Sequence, residues 1–311
     1  VTIDFVDSHH HLTDLSRSYP WLERSGPFPY HGDDTSIRRS YFVDDYLADV
    51  GDNRLLGSVH VENGAADSRA ETVWIDEVIH ARGVPSVQVA KADLLDPEGA
   101  RELEWLTTIE SVRGIRQILN WHDDPRYSHT DRPDIISDPV WLKNFARLAP
   151  LGLSFDLQVF PSQLRQAAAL AERHPETTII LDHAGMPIGR DAASIAQWHA
   201  GMVAVAAQPN VWVKISALGT NDHHWTTETL RPFVLDTLEL FGAERCMFGS
   251  NFPVDSLYST LQQLIDAYVE ITSDLTTAER ESFFVTAATR AYRFAPPTTI
   301  DGGSLNKEET S

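Results

Sequence analysis

Eight short β-rich apolar segments alternate with helix-forming stretches, and long polar connections follow several of them. Together these observations predict an α/β chain closed into a (β/α)8 TIM barrel with long loops at its C-terminal face. The segments lie at residues 3–9, 54–62, 85–92, 112–120, 153–160, 177–184, 211–218 and 246–252. Several are apolar with little polar alternation, as expected of strands covered on both faces.

The intervening segments read as helices. Residues 69–82 carry Val73, Ile75, Val78 and Ile79, and residues 161–174 open with Pro161 and Ser162 before a run of strong helix formers. Residues 191–208, 226–241, 257–271 and 276–292 follow the same pattern, the last closing the ring. A doubly wound open sheet fits less well, because no glycine-rich phosphate loop follows the first strand. Three strand-to-helix connections look long, at residues 12–40, 119–138 and 217–225. In a barrel they rise from the catalytic face, where they would wall a substrate or decorate the surface. The expected organisation is one domain over residues 1–295, followed by a tail at 296–311.

Composition narrows the function class. The 311 residues carry 25 Lys and Arg against 45 Asp and Glu, a formal charge of -20. That surface repels nucleic acid and anionic lipid, so neither nucleic acid nor membrane is an expected partner. The single cysteine, Cys246, excludes an intrachain disulfide and points to a cytoplasmic protein. The N-terminal VTIDFVDSHHHL does not read as a signal peptide, and no apolar run approaches the length of a membrane span.

Asp7, His9 and His11 alternate at the end of the first strand, which places His9 and His11 on one side, able to share one ion, while His10 points away. A histidine run near an N-terminus can also be a tag, but Ile3, Phe5 and Val6 set this one inside a strand. His183 ends the sixth strand in LDHAG and reads either as a residue of the barrel mouth or as a core or capping histidine.

The order DSHHHL and YPWL near the start, GIRQILN in the fourth strand, LDHAG in the sixth and MFGSNFPVD in the eighth resembles the amidohydrolase-related family, in the branch that contains sugar and dicarboxylate lactonases. The resemblance runs over roughly residues 3 to 295. It implies hydrolysis of a lactone such as L-fuconolactone, L-rhamnonolactone or 2-pyrone-4,6-dicarboxylate, at a site built on His9, His11 and His183. It also implies one divalent metal ion, zinc, on those three histidines, although relatives of the dicarboxylate lactonases work without metal. Related barrels perform decarboxylation with similar ligands, so a metal-dependent decarboxylase is the alternative, and related barrels are often homodimers. A barrel that has lost activity is a third reading.

One departure from the family pattern matters. The eighth strand of the family carries an aspartate that activates water, and the matching residue here is Asn251. An amide cannot take a proton at neutral pH. Zinc on neutral histidines can lower the pKa of bound water to about 7, or a histidine such as His60 or His122 could relay the proton. Asp255, farther along the loop, is the poorer choice. The fourth strand ends in no lysine or glutamate suited to a second metal.

His60, Lys91, Arg116, Gln158, Lys214 and Ser216 lie in or near the other strands. Basic residues inside a barrel are costly unless they are paired or face a ligand. They suggest an anionic or polyhydroxylated small-molecule substrate, with Arg116 gripping a carboxylate and Lys214 beside a developing oxyanion. The alternative for each is a structural ion pair with Glu62, Asp156 or Asp182. Trp21, His122 and Tyr127, with Tyr19, Trp121 and Trp225, are candidate stacking walls or loop packing.

Overall fold

The structure is a computed structural model that describes residues 2–26 and 30–295. Eight parallel strands run in the order of the chain: β1 (Asp4–His10), β2 (Arg54–Val61), β3 (Val87–Lys91), β4 (Val112–Ile118), β5 (Ser154–Gln158), β6 (Ile179–Leu181), β7 (Val211–Ile215) and β8 (Cys246–Phe248). Beyond the end of β8 the chain turns back on β1: Asn251 N donates to His9 O at 2.7 Å and His11 N to Phe252 O at 2.8 Å. Those two bonds bring the eighth strand's exit against the first strand's histidines. The (β/α)8 barrel is therefore the observed fold, and no helix among the described residues is long and apolar enough to cross a membrane.

Each strand is followed by a helix. The expected helices form at Ser68–Arg82, Leu164–Arg173, Ala192–Ala206, Thr227–Phe241 and Leu261–Ile271. Asp67 and Asp191 cap two of them by accepting from the first-turn amides of Ala70, and of Ala193 and Ser194. The segment 276–292 is broken into Thr277–Glu281, a π-turn at Ser282–Thr286 and Ala287–Ala291. Four α-helices among the described residues were not anticipated: Pro20–Glu23, Val43–Val50, Gly99–Leu106 and Pro139–Phe145. None exceeds 8 residues, too short for the apolar period to stand out. The tail at 296–311 lies outside the described residues.

Two cores hold the barrel. Between strands and helices, Phe155, Leu181, Val213 and Phe248 pack with Trp141, Leu170, Met202 and Ile265. Inside the barrel, Val6, Val59, Val89, Ile180 and Met247 pack with Ala287, Ala288, Ala291 and Tyr292. Arg293 donates to the carbonyls of Arg113 and Gly152, beside the starts of β4 and β5, so this last segment stoppers the end of the barrel opposite the histidines.

Strands β4 and β5 approach closely at Gly114, where an added Cβ would lie 2.2 Å from Ser154 Oγ and 2.8 Å from its carbonyl oxygen. Gly114→Ala is expected to cost about 1–3 kcal/mol through overpacking, read as a lower midpoint in chemical denaturation.

Candidate active site

The strand ends are pulled into unusual backbone shapes where the site forms. β6 stops at Leu181, three residues short of the expected end, because His183 and Ala184 adopt left-handed conformations with φ of 58° and 49°. Of the six non-glycine residues with positive φ among the described residues, His183, Met186, Ala217 and Asn251 line one cavity. Such conformations cost roughly 1–3 kcal/mol each and persist where surrounding structure enforces them, commonly at functional sites.

That cavity, of about 470 Å³, opens at the C-terminal ends of the strands, and a volume of this order suits a small ligand. His11, Arg116, His183, Asn251, Lys91, Gln158 and Trp21 line it, as the sequence leads one to expect. His9 lies just beneath, fully buried, with its ring 5.0 Å from His11 and 4.6 Å from His183.

The three imidazoles are held through one nitrogen each. His11 Nδ1 donates to the Val61 carbonyl at 2.7 Å, which leaves its Nε2 unprotonated when the ring is neutral. His183 Nδ1 pairs with Ser216 Oγ at 2.9 Å. His9 Nδ1 sits 3.2 Å from Lys214 Nζ and 3.5 Å from Asp182 Oδ1, while its Nε2 is buried without a hydrogen-bond partner. Burial depresses all three pKa values, His11 to about 4 and His183 to about 3, so the rings are neutral at physiological pH.

The donor atoms that all lie within 4.8 Å of one another belong to His9, Asp182 and His183. His11, expected as the third ligand, is not in that group; its Nδ1 is held by the Val61 carbonyl, which leaves Nε2 facing the cavity side. Burial would raise Asp182, but Lys214 and His9 outweigh it and keep the carboxylate well below its usual range. A buried group of two imidazoles and a carboxylate, with His183 anchored through Nδ1 on Ser216, suits a metal ion.

Several sequence assignments are corrected by placement. Lys214 does not face the cavity: it is fully buried, its Nζ 2.5 Å from Asp156 Oδ2 and 3.2 Å from Asp182 Oδ1, so the structural pairing is the one realised. Arg116 reaches the cavity wall, yet its Nε donates to Glu62 Oε1 at 2.7 Å, Nη2 to the Glu62 carbonyl and Nη1 to Gln158 Oε1 at 3.2 Å. It has no free fork for a substrate carboxylate. His60 is buried beside His10 and His11, accepting from Leu12 N through Nδ1. His122 and Tyr127 pack on each other and Phe160 in the outer loop and are not among the described cavity-lining residues, nor are Tyr19, Trp121 and Trp225.

Sequence reasoning missed Tyr30, His31, His129 and Thr220 in the cavity wall. Tyr30 Oη and His129 Nε2 are 2.7 Å apart and join the first and fourth loops over the site. The polar clusters around Tyr30 and His129 lie inside the loops already marked as long, which was the available signal.

With this geometry in place, the comparisons with known proteins agree. The amidohydrolase family profile matches residues 6–294. The chain belongs to the amidohydrolase family. That makes it an enzyme, a hydrolase. It is similar to the L-fucono-1,5-lactonase of Burkholderia multivorans, 30% identical over 94% of this chain and 97% of the lactonase. An uncharacterized protein y4mH of Sinorhizobium fredii is 35% identical, over 94% of this chain and 99% of its own length. A crystal structure of a Burkholderia multivorans amidohydrolase with bound zinc is 26% identical, with a TM-score of 0.78 over 94% of this chain and 99% of that one.

Lys214 is the point on which this amidohydrolase site can be tested for integrity. Lys214→Met leaves two buried carboxylates facing each other with only the Arg116 guanidinium, 4.0 Å from Asp182 Oδ2, to offset them. Loss of one partner from a buried charge pair costs about 3–5 kcal/mol, so urea denaturation should show a loss of that order.

Proposed function

We propose that this enzyme hydrolyses the lactone of a small, neutral, polyhydroxylated sugar acid in the cytoplasm. The observation that carries the reading is the charge balance of the cavity. Arg116 and Lys91 are offset by Glu62 and Asp93, and the lining histidines His11 and His183 are neutral. Arg116 is occupied by Glu62 and Gln158, so a dicarboxylate would meet no unpaired guanidinium. Hydroxyl groups, by contrast, find amide, imidazole and phenol partners in Asn63, Asn221, Asn251, His129 and Tyr30. The lactonase relative supports the same reading.

In this mechanism water attacks the lactone carbonyl carbon, the acyl–oxygen bond of the ring breaks, and the ring oxygen leaves as a hydroxyl after gaining a proton. His11 Nε2 accepts a hydrogen bond from water or substrate, because its Nδ1 proton is committed to Val61. His183, held by Ser216, and Asn251 flank the same space. Arg116, through the face not taken by Glu62, contributes positive potential where the tetrahedral oxyanion forms. Gln158, Lys91 and Trp21 position the substrate, and Trp21 is fixed by donating to the Asn63 carbonyl at 2.7 Å. His9, Asp182 and His183 would hold a divalent ion, zinc in this proposal, which would supply carbonyl polarisation and acidify water. Lys214 acts from below by holding Asp182 ionised.

A pH-indicator assay on purified enzyme tests the reading, with aldonolactones including L-fucono-1,5-lactone set beside 2-pyrone-4,6-dicarboxylate. An aldonolactone is expected to turn over, with the dicarboxylate slower by about 100-fold or more. Chelation should lower the rate about tenfold or more, and zinc should restore it. Turnover of the dicarboxylate alone, or carbon dioxide release from an aromatic acid with no lactone opened, would overturn it.

A further inference from the structure

Asn251 stands where the family carries a carboxylate, and the Nδ1 atoms of His11 and His183 are held by the Val61 carbonyl and by Ser216 Oγ. One turn after Asn251 lies a carboxylate that the mechanism has not used. Asp255 N donates to the Asn251 carbonyl at 3.1 Å, and the Asp255 side chain is 2% exposed. Its Oδ1 accepts from the Thr220 hydroxyl at 3.0 Å, and the Asn251 side chain is a second partner of the carboxyl. Thr220 and Asn251 both line the cavity.

A carboxylate in a protein interior is normally paired with a cation. Among the described residues Asp255 has none, and its partners are the Thr220 hydroxyl and the Asn251 side chain. The groups facing it are Gly219 and Thr220 from the segment after β7, and Asn251 from its own. From the helix Leu261–Ile271 comes Tyr268, whose phenol oxygen is also buried without a hydrogen-bond partner. Among the described residues no cation offsets its burial, which pushes the carboxyl up to about 7 against the opposing pull of Asn251 and Thr220. A group poised near the working pH suits proton exchange.

We propose that Asp255, acting through the Thr220 hydroxyl, receives the proton that the family's aspartate takes directly. The inference rests on the lactone-hydrolase reading. As water oxygen bonds to the carbonyl carbon, its proton passes to Thr220 Oγ1 while the threonine proton passes to Asp255 Oδ1. When the acyl–oxygen bond breaks, the proton returns by the same route to the departing ring oxygen. Thr220 is the group at the cavity, and Asp255 is the positioning residue behind it. The amide at residue 251 and the carboxylate at residue 255 are then one device, in which the acid has moved one turn back from the substrate.

The test is steady-state kinetics across pH 5 to 9 on whichever aldonolactone the wild type opens. The rate should rise with pH through a midpoint near 7. Asp255→Asn should lower kcat by about 100-fold or more with KM nearly unchanged, and remove that limb of the profile. Thr220→Val should remove the same limb. Adding Asn251→Asp to Asp255→Asn should recover activity, with the limb displaced to lower pH. Folding is monitored separately. The raised pKa gives Asp255 a stabilising contribution present below its unfolded value and lost as pH rises through about 7. Wild type should therefore lose Tm from pH 5 to 8 relative to Asp255→Asn. An Asp255→Asn enzyme that keeps the wild-type kcat and pH profile overturns the proposal alone. A wild type that opens no lactone overturns the proposal together with the reading on which it rests.

Discussion

A buried ammonium organises this molecule. Lys214 projects from β7 to Asp156 of β5 and to Asp182 at the end of β6, and it stands against His9 of β1. Tyr292 completes the arrangement, donating to the same Asp156 oxygen at 2.6 Å and offering its ring 5.2 Å from Nζ. One cation thus ties three strands that are not all neighbours to the segment that stoppers the barrel. Removing these charges from water is expensive, and only their mutual attraction and hydrogen bonds offset that cost. The result is a floor that keeps Asp182 ionised and fixes His9 directly under the cavity.

Above that floor, a second buried ion pair shapes what can bind. Arg116 and Glu62 satisfy each other across β4 and the end of β2, so the cavity carries hydrogen-bonding capacity with little net charge. The strongly acidic surface does not extend into it, because the whole-chain charge of -20 resides mainly on exposed side chains. Left-handed backbone at His183, Ala217 and Asn251 marks the strand ends around the cavity, and at Asn251 it is held by the hydrogen bonds that join β1 to the exit of β8.

Much of the fold was legible because burial on both faces leaves a strong local trace. Seven of the eight strands fall inside their expected segments, β1 running one residue beyond to His10, and four of the five longest helices follow caps such as Asp67, Asp191 and Thr226. The helices at Val43–Val50, Gly99–Leu106 and Pro139–Phe145 escaped because two turns carry too little period. The site was legible as far as strand-end histidines allow: His9, His11 and His183 do converge. What stayed hidden were choices among partners. Nothing local to Lys214 says that it meets Asp156 and Asp182 rather than a substrate, since those partners come from other strands. Likewise Asp255 gains its character from Thr220 and from burial with no cation beside it among the described residues, neither of which is visible in the run SNFPVD.

The central claim is that the Lys214 floor presents His9, Asp182 and His183 as one ion-binding group beneath a neutral cavity. Anomalous diffraction at the zinc absorption edge, from crystals grown with zinc, tests it most directly. The account predicts a single strong peak in contact with His9, His183 and Asp182. Full zinc loading with the peak elsewhere, or those three side chains found without an ion, would contradict it.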